Sequence, residues 1–228
     1  MLSESLLSRD VYTSEILDQE QPPSSMVCPK CQQGQGSLRC KDCISRHVLC
    51  HDCCLVVHQD TPFHLIEKWT GRFFQSTSLN QEGLVLYLGH GGVPCPGAQS
   101  MASTQGSQTG GRGQVDNERC IVVVDVSGVH QVQVSWCCCD GAPGVDIQLL
   151  RNRLFPATTT KPSTAFTFGL LNHFHIDSVE CKTSALSFFS KLRRLTNDSS
   201  PDLVPVGLPA FHLYSIGLIS VNRTGTES

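Results

Sequence analysis

Residues 28–64 read CPKCQQGQGSLRCKDCISRHVLCHDCCLVVHQDTPFH, a stretch holding seven of the thirteen cysteines and four of the nine histidines. Three Cys-x-x-Cys pairs, Cys28/Cys31, Cys40/Cys43 and Cys50/Cys53, are followed by a histidine pair, His58 and His64. Two cysteines two residues apart can aim both thiolates at one ion about 2.3 Å away, so these ligands suffice for two tetrahedral zinc sites. Neighbouring pairs are separated by eight, six and four residues. Interleaving first with third and second with fourth ties the stretch into one compact unit. That assigns Cys28, Cys31, Cys50 and Cys53 to one ion, and Cys40, Cys43, His58 and His64 to the other. A sequential pairing would use the same ligands. With all four ligands supplied by protein, no position is open for a substrate water, so the metal is expected to be structural.

Disulfides compete with zinc for thirteen cysteines, but the count is odd, and the N-terminus MLSESLLSRDVYTSEILDQE has neither a basic start nor an uninterrupted apolar run. It does not read as a signal peptide, and reduced cysteines imply an intracellular compartment. A segment this short buries too little apolar surface to fold unaided. Structural zinc contributes an apparent ~10–16 kcal/mol in small fingers, so binding and folding become one event. The order of cysteine pairs ending in histidines resembles the cross-braced B-box type of zinc module. His47, His51 and Cys54 are left over; His51 could replace a neighbour but reads as a solvated polar residue.

A third metal signal lies further on, where the strand-like GLVLYLG of residues 83–89 runs into His90-Gly-Gly-Val-Pro-Cys95. The two glycines permit a tight turn that lets imidazole and thiolate converge. Its partners are expected at the end of CIVVVDVSGVHQVQVSWCCCD, which reads as a hairpin. Ile121 to Val126 is β-branched, Ser127-Gly128 supplies the turn, and Val132, Val134 and Trp136 alternate with Gln131, Gln133 and Ser135. Cys137 and Cys139 would join His90 and Cys95 around a third zinc ion, with Cys138 and Cys120 competing for a place.

The elements around these ligands suggest an α+β chain: a zinc-stabilised cross-brace knot, a β-hairpin zinc site, then an α-helical segment. Residues 1–25 form an acidic stretch with a helix around 10–20 and a Gln-Pro-Pro-Ser-Ser linker. Residues 26–72 form the knot, and LIEKWTGRFFQSTSL packs a strand and turn against it. Residues 73–144 carry the hairpin and third site, interrupted by a Gly-, Ser- and Gln-rich insertion at 96–118 expected to be flexible. In the helical segment 145–198, VDIQLLRNRLF stops at Pro156, Ser163 or Thr164 caps AFTFGLLNHFHIDSV, and Thr183 or Ser184 caps ALSFFSKLRRL. Phe166, Leu170, Phe174, Phe188, Leu192 and Leu195 fall at helical spacing and read as core. His173 and His175, two apart, point to different faces and make poor co-ligands. Residues 199–228 read as a disordered tail.

Most of the chain, from about Asp10 to about Asp198, resembles the CxC-type cysteine-cluster domain associated with the KDZ (Kyakuja-Dileera-Zisupton) transposases of fungi. The likeness rests on the knot ending in HQDTPFHLIEKWTGRFFQSTSL, on LGHGGVPCP, on VVVDVSGVHQVQVSWCCC, and above all on RLFPATTTKPSTAFTF. The family's late Cys-x-Cys falls on Cys137 and Cys139, with Cys138 an unusual middle residue. The resemblance implies a zinc-binding module placed before a DDE-type catalytic domain of the RNase H-like class, and a nuclear role in recognising transposon DNA or a chromatin or protein partner. No room for a catalytic domain follows Asp198, which reads as a truncated or decayed element.

Composition selects no partner, since net charge is -3 and charged residues are 16% of the 228. No apolar stretch reaches membrane-spanning length, and nothing suggests a small-molecule substrate. For nucleic acid, Lys30, Arg39, Lys41, Arg46, Arg193 and Arg194 are the expected phosphate contacts, although basic residues near thiolates also balance their charge. The alternative is a B-box-like protein-interaction module. An enzyme is not expected. Asp125 closes an apolar strand as the first acid of an RNase H-like nuclease does, but nothing in the spacing of Asp146, Asp177 or Glu180 supplies its partners. No His-x-Glu accompanies the cysteines as a zinc deaminase requires.

Overall fold

The computed structural model describes residues 2–97, 118–198 and 200–204. Contacts divide the chain into two compact units, Met1–Leu84 and Val85–Ser228. Residues 98–117 of the expected flexible insertion lie outside the described residues, as do 199 and 205–228 of the expected tail.

The first unit opens with helix α1 (Leu2–Asp18), which starts earlier than the sequence suggests. It continues with β1 (Leu38–Cys40), α2 (His51–Val57), β2 (Ile66–Trp69) and β3 (Phe74–Thr77). The strands form an antiparallel sheet in that order, with Cys40 opposite Ile66, Arg39 opposite Glu67 and Trp69 opposite Phe74. Gly71, at φ 94°, makes the turn between β2 and β3 that few other residues would accept. The core is small: Leu38, Cys40, Cys54, Ile66, Leu79 and Leu84 are buried together. Apolar burial on that scale leaves a domain marginal without a further staple.

The second unit is built on a five-stranded mixed sheet of β4 (Val85–Tyr87), β5 (Glu118–Asp125), β6 (Gly128–Ser135), β7 (Leu154–Pro156) and β8 (Thr164–Thr167), in the order β4-β6-β5-β8-β7. The β5/β6 hairpin is antiparallel along its whole length, from Glu118 opposite Ser135 to Asp125 opposite Gly128, so the turn is Val126-Ser127, one residue before the expected position. Strands β4 and β8 flank the hairpin in parallel pairings. Three helices follow β6 in sequence, α3 (Val145–Arg151), α4 (Phe168–Glu180) and α5 (Ala185–Thr196), and a short 3-10 turn at Pro201–Leu203 ends the described chain. Val124, Val129 and Phe166 of the sheet bury against Leu170, Leu171, Phe174, Ala185, Phe188, Phe189 and Leu192 of α4 and α5. Val204, within the segment read as a tail, is only 4% exposed in that same core.

The stretch read as wholly helical contributes two strands. Helix α3 ends at Arg151 because Arg153 takes a left-handed φ of 60°, and Leu154–Pro156 then leaves as β7. Thr164–Thr167 is buried at every position, wedged between β5 and β7, where its β-branched and aromatic residues suit a strand with two covered faces. Helix α4 therefore begins at Phe168, capped by Thr167, whose hydroxyl accepts from Leu170 N. Of the two residues offered as caps for α5, it is Ser184 that accepts from Ser187 N. Leu195, expected in the core, is 48% exposed. Its neighbour Thr196 faces the sheet instead, accepting from Val129 N at 2.7 Å, and a Cβ on Gly128 would lie 2.6 Å from the Thr196 hydroxyl.

Candidate metal centres

The fold brings the candidate ligands into three groups of four, with the donor atoms of each group within 4.8 Å of one another. Cys28, Cys31, Cys50 and Cys53 make the first, Cys40, Cys43, His58 and His64 the second, and His90, Cys95, Cys137 and Cys139 the third. The interleaved combination, and not the sequential one, is what the backbone assembles. Helix α2 links the first two groups, since Cys50 stands at its N-cap position, Cys53 lies in its first turn and His58 stands at its C-cap position.

Donor chemistry and spacing fit a four-coordinate ion. A tetrahedron with arms of about 2.3 Å to sulfur and about 2.0–2.1 Å to nitrogen has edges of about 3.8 Å between sulfurs and about 3.6 Å between sulfur and nitrogen. The Cys31 and Cys50 sulfurs stand 3.7 Å apart. Cys43 Sγ lies 3.5 Å from His58 Nε2 and 3.6 Å from His64 Nδ1, and Cys40 Sγ 3.4 Å from His64 Nδ1. In the third group Cys95 Sγ is 3.9 Å from Cys137 Sγ and 3.6 Å from Cys139 Sγ. His90 Nε2 stands 3.6 Å from Cys139 Sγ and, at the shortest edge, 3.1 Å from Cys137 Sγ. All thirteen cysteines are free thiols in this structure, disulfides being absent even where sulfurs are neighbours.

Proton affinities within the groups show why such clusters call for a cation. Burial alone would push the Cys28 thiol up, but N–H groups of Cys50, Cys31 and Lys30 outweigh it and bring it down to about 6. In the same group the adjacent Cys50 thiol, with burial and the Cys31 and Cys28 thiols, pushes Cys53 up to about 12. Cys40 is brought to about 6 against its burial by the His58 imidazole and backbone donors, and His58 is carried to about 11 by Cys40 and Cys54. Cys139 is raised to about 11 by Cys95 and Cys137. Sulfurs this close cannot all ionise against one another, whereas a divalent cation among them makes every thiolate favourable. Each of the three groups could hold a metal ion.

Residues around the ligands set their orientation. Backbone N–H groups of Gly34 and Cys43 donate to Cys31 Sγ at 3.3 Å and Cys40 Sγ at 3.4 Å. His58 Nδ1 stands 2.8 Å from the Cys54 carbonyl, which takes its proton and leaves Nε2 to face Cys43. Cys54 itself is buried beside that ring rather than joining a group. Gly34 is required by close approach, since a Cβ there would lie 2.8 Å from Cys50 Cβ; Gly89 stands in the same relation to Cys137 Cβ. His90, Gly91 and Gly92 all have positive φ, forming the tight turn that the His-Gly-Gly motif suggests.

Two further residues support the third group. Gln148 on α3 is buried and holds Cys137 from both sides: its Oε1 accepts from Cys137 N at 2.8 Å, and its Nε2 donates to Cys137 O at 3.0 Å and Pro143 O at 2.8 Å. Asn152 Nδ2 donates to Leu88 O at 2.8 Å, fixing the strand end that leads to His90. Neither carries a spacing signal, because a lone amide on a short helix looks like any solvated residue. Among the remaining candidates, His51 is exposed and bonded to Asp52 and to Glu82 O, Cys120 is exposed, and Cys138 Sγ lies 3.9 Å from Cys95 outside the group of four. Asp125 serves the hairpin turn, its carboxylate accepting from Ser127 N, Ser127 Oγ and Thr167 Oγ1.

The residues expected to meet phosphate are mostly engaged within the chain. Arg39 is 4% exposed and pairs with Glu20 and Glu67, Arg46 pairs with Glu20, and Lys41 with Glu67. Arg193 donates to Pro201 O and pairs with Asp202, and Arg194 lies 4.0 Å from Asp198. Lys30 is exposed.

The third group, the five-stranded sheet and the helices packed on it lie within residues 79–200, the residues matched by the family model described as CxC2 like cysteine cluster associated with KDZ transposases. The chain belongs to that family. The match covers more than half of the chain and begins after the first two metal groups, so in this CxC2 protein the double knot precedes the matched residues. No curated protein and no solved structure matches the chain. Among the described residues no helix is long and apolar enough to cross a membrane.

Proposed function

We propose that the three groups each hold one zinc ion and that this CxC2 protein is a non-catalytic, nuclear recognition module of the KDZ transposase system that meets a protein partner. The observation carrying this reading is that every group gathers four protein donors within 4.8 Å of one another, which as a four-coordinate set leaves no position for a substrate or reactive water. Zinc there supplies cross-links, holding shut a first unit whose main apolar cluster has only six buried side chains among the described residues.

A protein partner is supported by the state of the basic side chains. Phosphate recognition needs cations that face solvent and can release counterions. Arg39, Arg46 and Arg193 are instead matched by acids of this chain with 4%, 29% and 20% of their side chains exposed, which leaves Lys30, Lys41 and Arg194 as the candidates that face solvent. Transposon-DNA binding is tested by titrating the zinc-loaded chain against duplex DNA at low and moderate salt. The expected result is no saturable binding at either; tight binding that weakens steeply with salt would replace the protein partner with nucleic acid.

A further inference from the structure

Arg39 is, among the described residues, the buried arginine of the first unit, and it is ringed by groups that engage its guanidinium. Its guanidinium lies 3.8 Å from the centre of the Phe74 ring and bonds Glu67 Oε2 across the sheet at 2.8 Å. Its outer donors are taken by the segment that follows α1, with Nη1 to Gln19 O at 3.0 Å and Nη2 to Glu20 Oε2 at 2.6 Å. Arg46 Nη1 takes the other carboxylate oxygen of Glu20 at 3.2 Å. One carboxylate is thus gripped by two guanidiniums, the arrangement by which proteins recognise an acidic group with geometric selectivity.

The segment supplying that carboxylate has little else to hold it. Every residue from Arg9 to Ser25 is exposed, and Val11, Tyr12, Ile16 and Leu17 of α1 show 59–65% of their surface. Cavities of about 390 Å³ and 320 Å³ open beside the segment; Gln21, Pro22 and Arg39 line both, with Arg46 and His47 at the first and Arg72 and Phe73 at the second. Arg46 Nε is buried there without a hydrogen-bond partner. A carboxylate accounts for part of what this cradle offers, and the space on both sides remains for more.

We propose that the surface formed by Arg39, Arg46 and Phe74 is a docking groove for an acidic peptide segment of a partner protein, and that the chain's own Gln19-Glu20-Gln21-Pro22 occupies it as a resident stand-in. Without Glu20 the cradle presents Arg39, Arg46 and Lys41 against the carboxylate of Glu67, with Asp18 of the resident segment at the wall of the first cavity, so a partner carrying Glu or Asp in an extended, proline-flanked stretch is the complementary ligand. This rests on the protein-partner reading and names the chemistry of that partner. Competition is built in, because a tethered segment competes at an effective concentration near the millimolar range, and a partner must exceed it.

The test uses the full zinc-loaded chain and a fluorescent peptide of residues 14–25, SEILDQEQPPSS, followed by anisotropy. Glu20→Ala releases the resident carboxylate and is expected to bind the peptide about tenfold more tightly than the unaltered chain, the change worth one charged contact. The peptide with Gln in place of its own Glu20 is expected to lose that binding, and so is the double variant Glu20→Ala, Arg46→Glu. Hydrogen exchange of residues 18–23 should accelerate in Glu20→Ala while the metal-bound residues stay protected. Equal or absent peptide binding in Glu20→Ala with three ions still bound would overturn the groove and leave the metal reading standing. Displacement of the peptide by duplex DNA would overturn the choice of an acidic peptide.

Discussion

Gln148→Leu removes the amide that clasps Cys137 and keeps the volume. In the unaltered chain that amide, itself buried, satisfies three part-buried backbone groups, Cys137 N, Cys137 O and Pro143 O, at 2.8, 3.0 and 2.8 Å. An orphaned buried group costs about 1–3 kcal/mol, and the three here are neighbours that keep some access to water and whose losses overlap, so about 2–3 kcal/mol is expected in all. The part of that loss felt at the third metal group corresponds to the 10–100-fold drop in affinity typical when an outer partner of a ligand is removed. The assay is competition with a chromogenic zinc chelator, read as the number and rates of ions surrendered. One ion of three is expected to leave 10–100-fold sooner than in the unaltered chain, with the other two unchanged. If all three ions leave Gln148→Leu as they leave the unaltered chain, the amide does not position Cys137 and the reasoning fails.

Gly34→Ala places a methyl 2.8 Å from Cys50 Cβ and is expected to cost about 1–3 kcal/mol and to lower the affinity of the first metal group, checked by the same chelator competition. Phe188→Ala empties the centre of the second unit's core, where Phe188 is fully buried, and should lower its stability by about 3–5 kcal/mol in urea denaturation. Asp125 gives a pH dependence of known sign. Burial raises its carboxyl, but Thr167, Ser127 and the backbone of Ser127 and Val126 together hold it below the model-compound value of 3.8. Its folded state is therefore the weaker proton binder, so its stabilising effect is complete above about pH 4 and is lost as pH falls through the depressed folded value. The stability gap between the unaltered chain and Asp125→Asn should then close as pH drops below about 4, and a gap that widens there would refute the assignment.

The candidate metal groups were legible because metal chemistry is written into spacing: Cys-x-x-Cys and a following histidine pair specify possible donors locally, whatever surrounds them. The hairpin was legible for a similar reason, since Val132 and Val134 alternate with glutamines and one face is buried. What stayed hidden depends on distant neighbours. Thr164–Thr167 has an apolar run that fits the end of a helix as well as a strand, and its parallel partner β5 lies some 40 residues earlier. Only the filled space on both sides makes it a strand. Gly128 reads as a turn glycine and does close the hairpin at a φ of 140°, but it also makes room for Thr196, a contact far along the chain. Arg39 looked like a phosphate contact because a basic residue beside a cysteine is usually exposed; its place opposite Glu67 and over Phe74 follows from sheet register, which composition does not encode.

On the proposed reading, three four-ligand metal groups hold this CxC2 protein together. Native electrospray mass spectrometry of the intact chain, purified without chelator, tests it most directly. The expected mass is that of the fully reduced polypeptide plus three zinc ions, all lost on acidification. A folded chain of bare polypeptide mass, or one lighter by the hydrogens of cysteine pairs joined as disulfides, would contradict it.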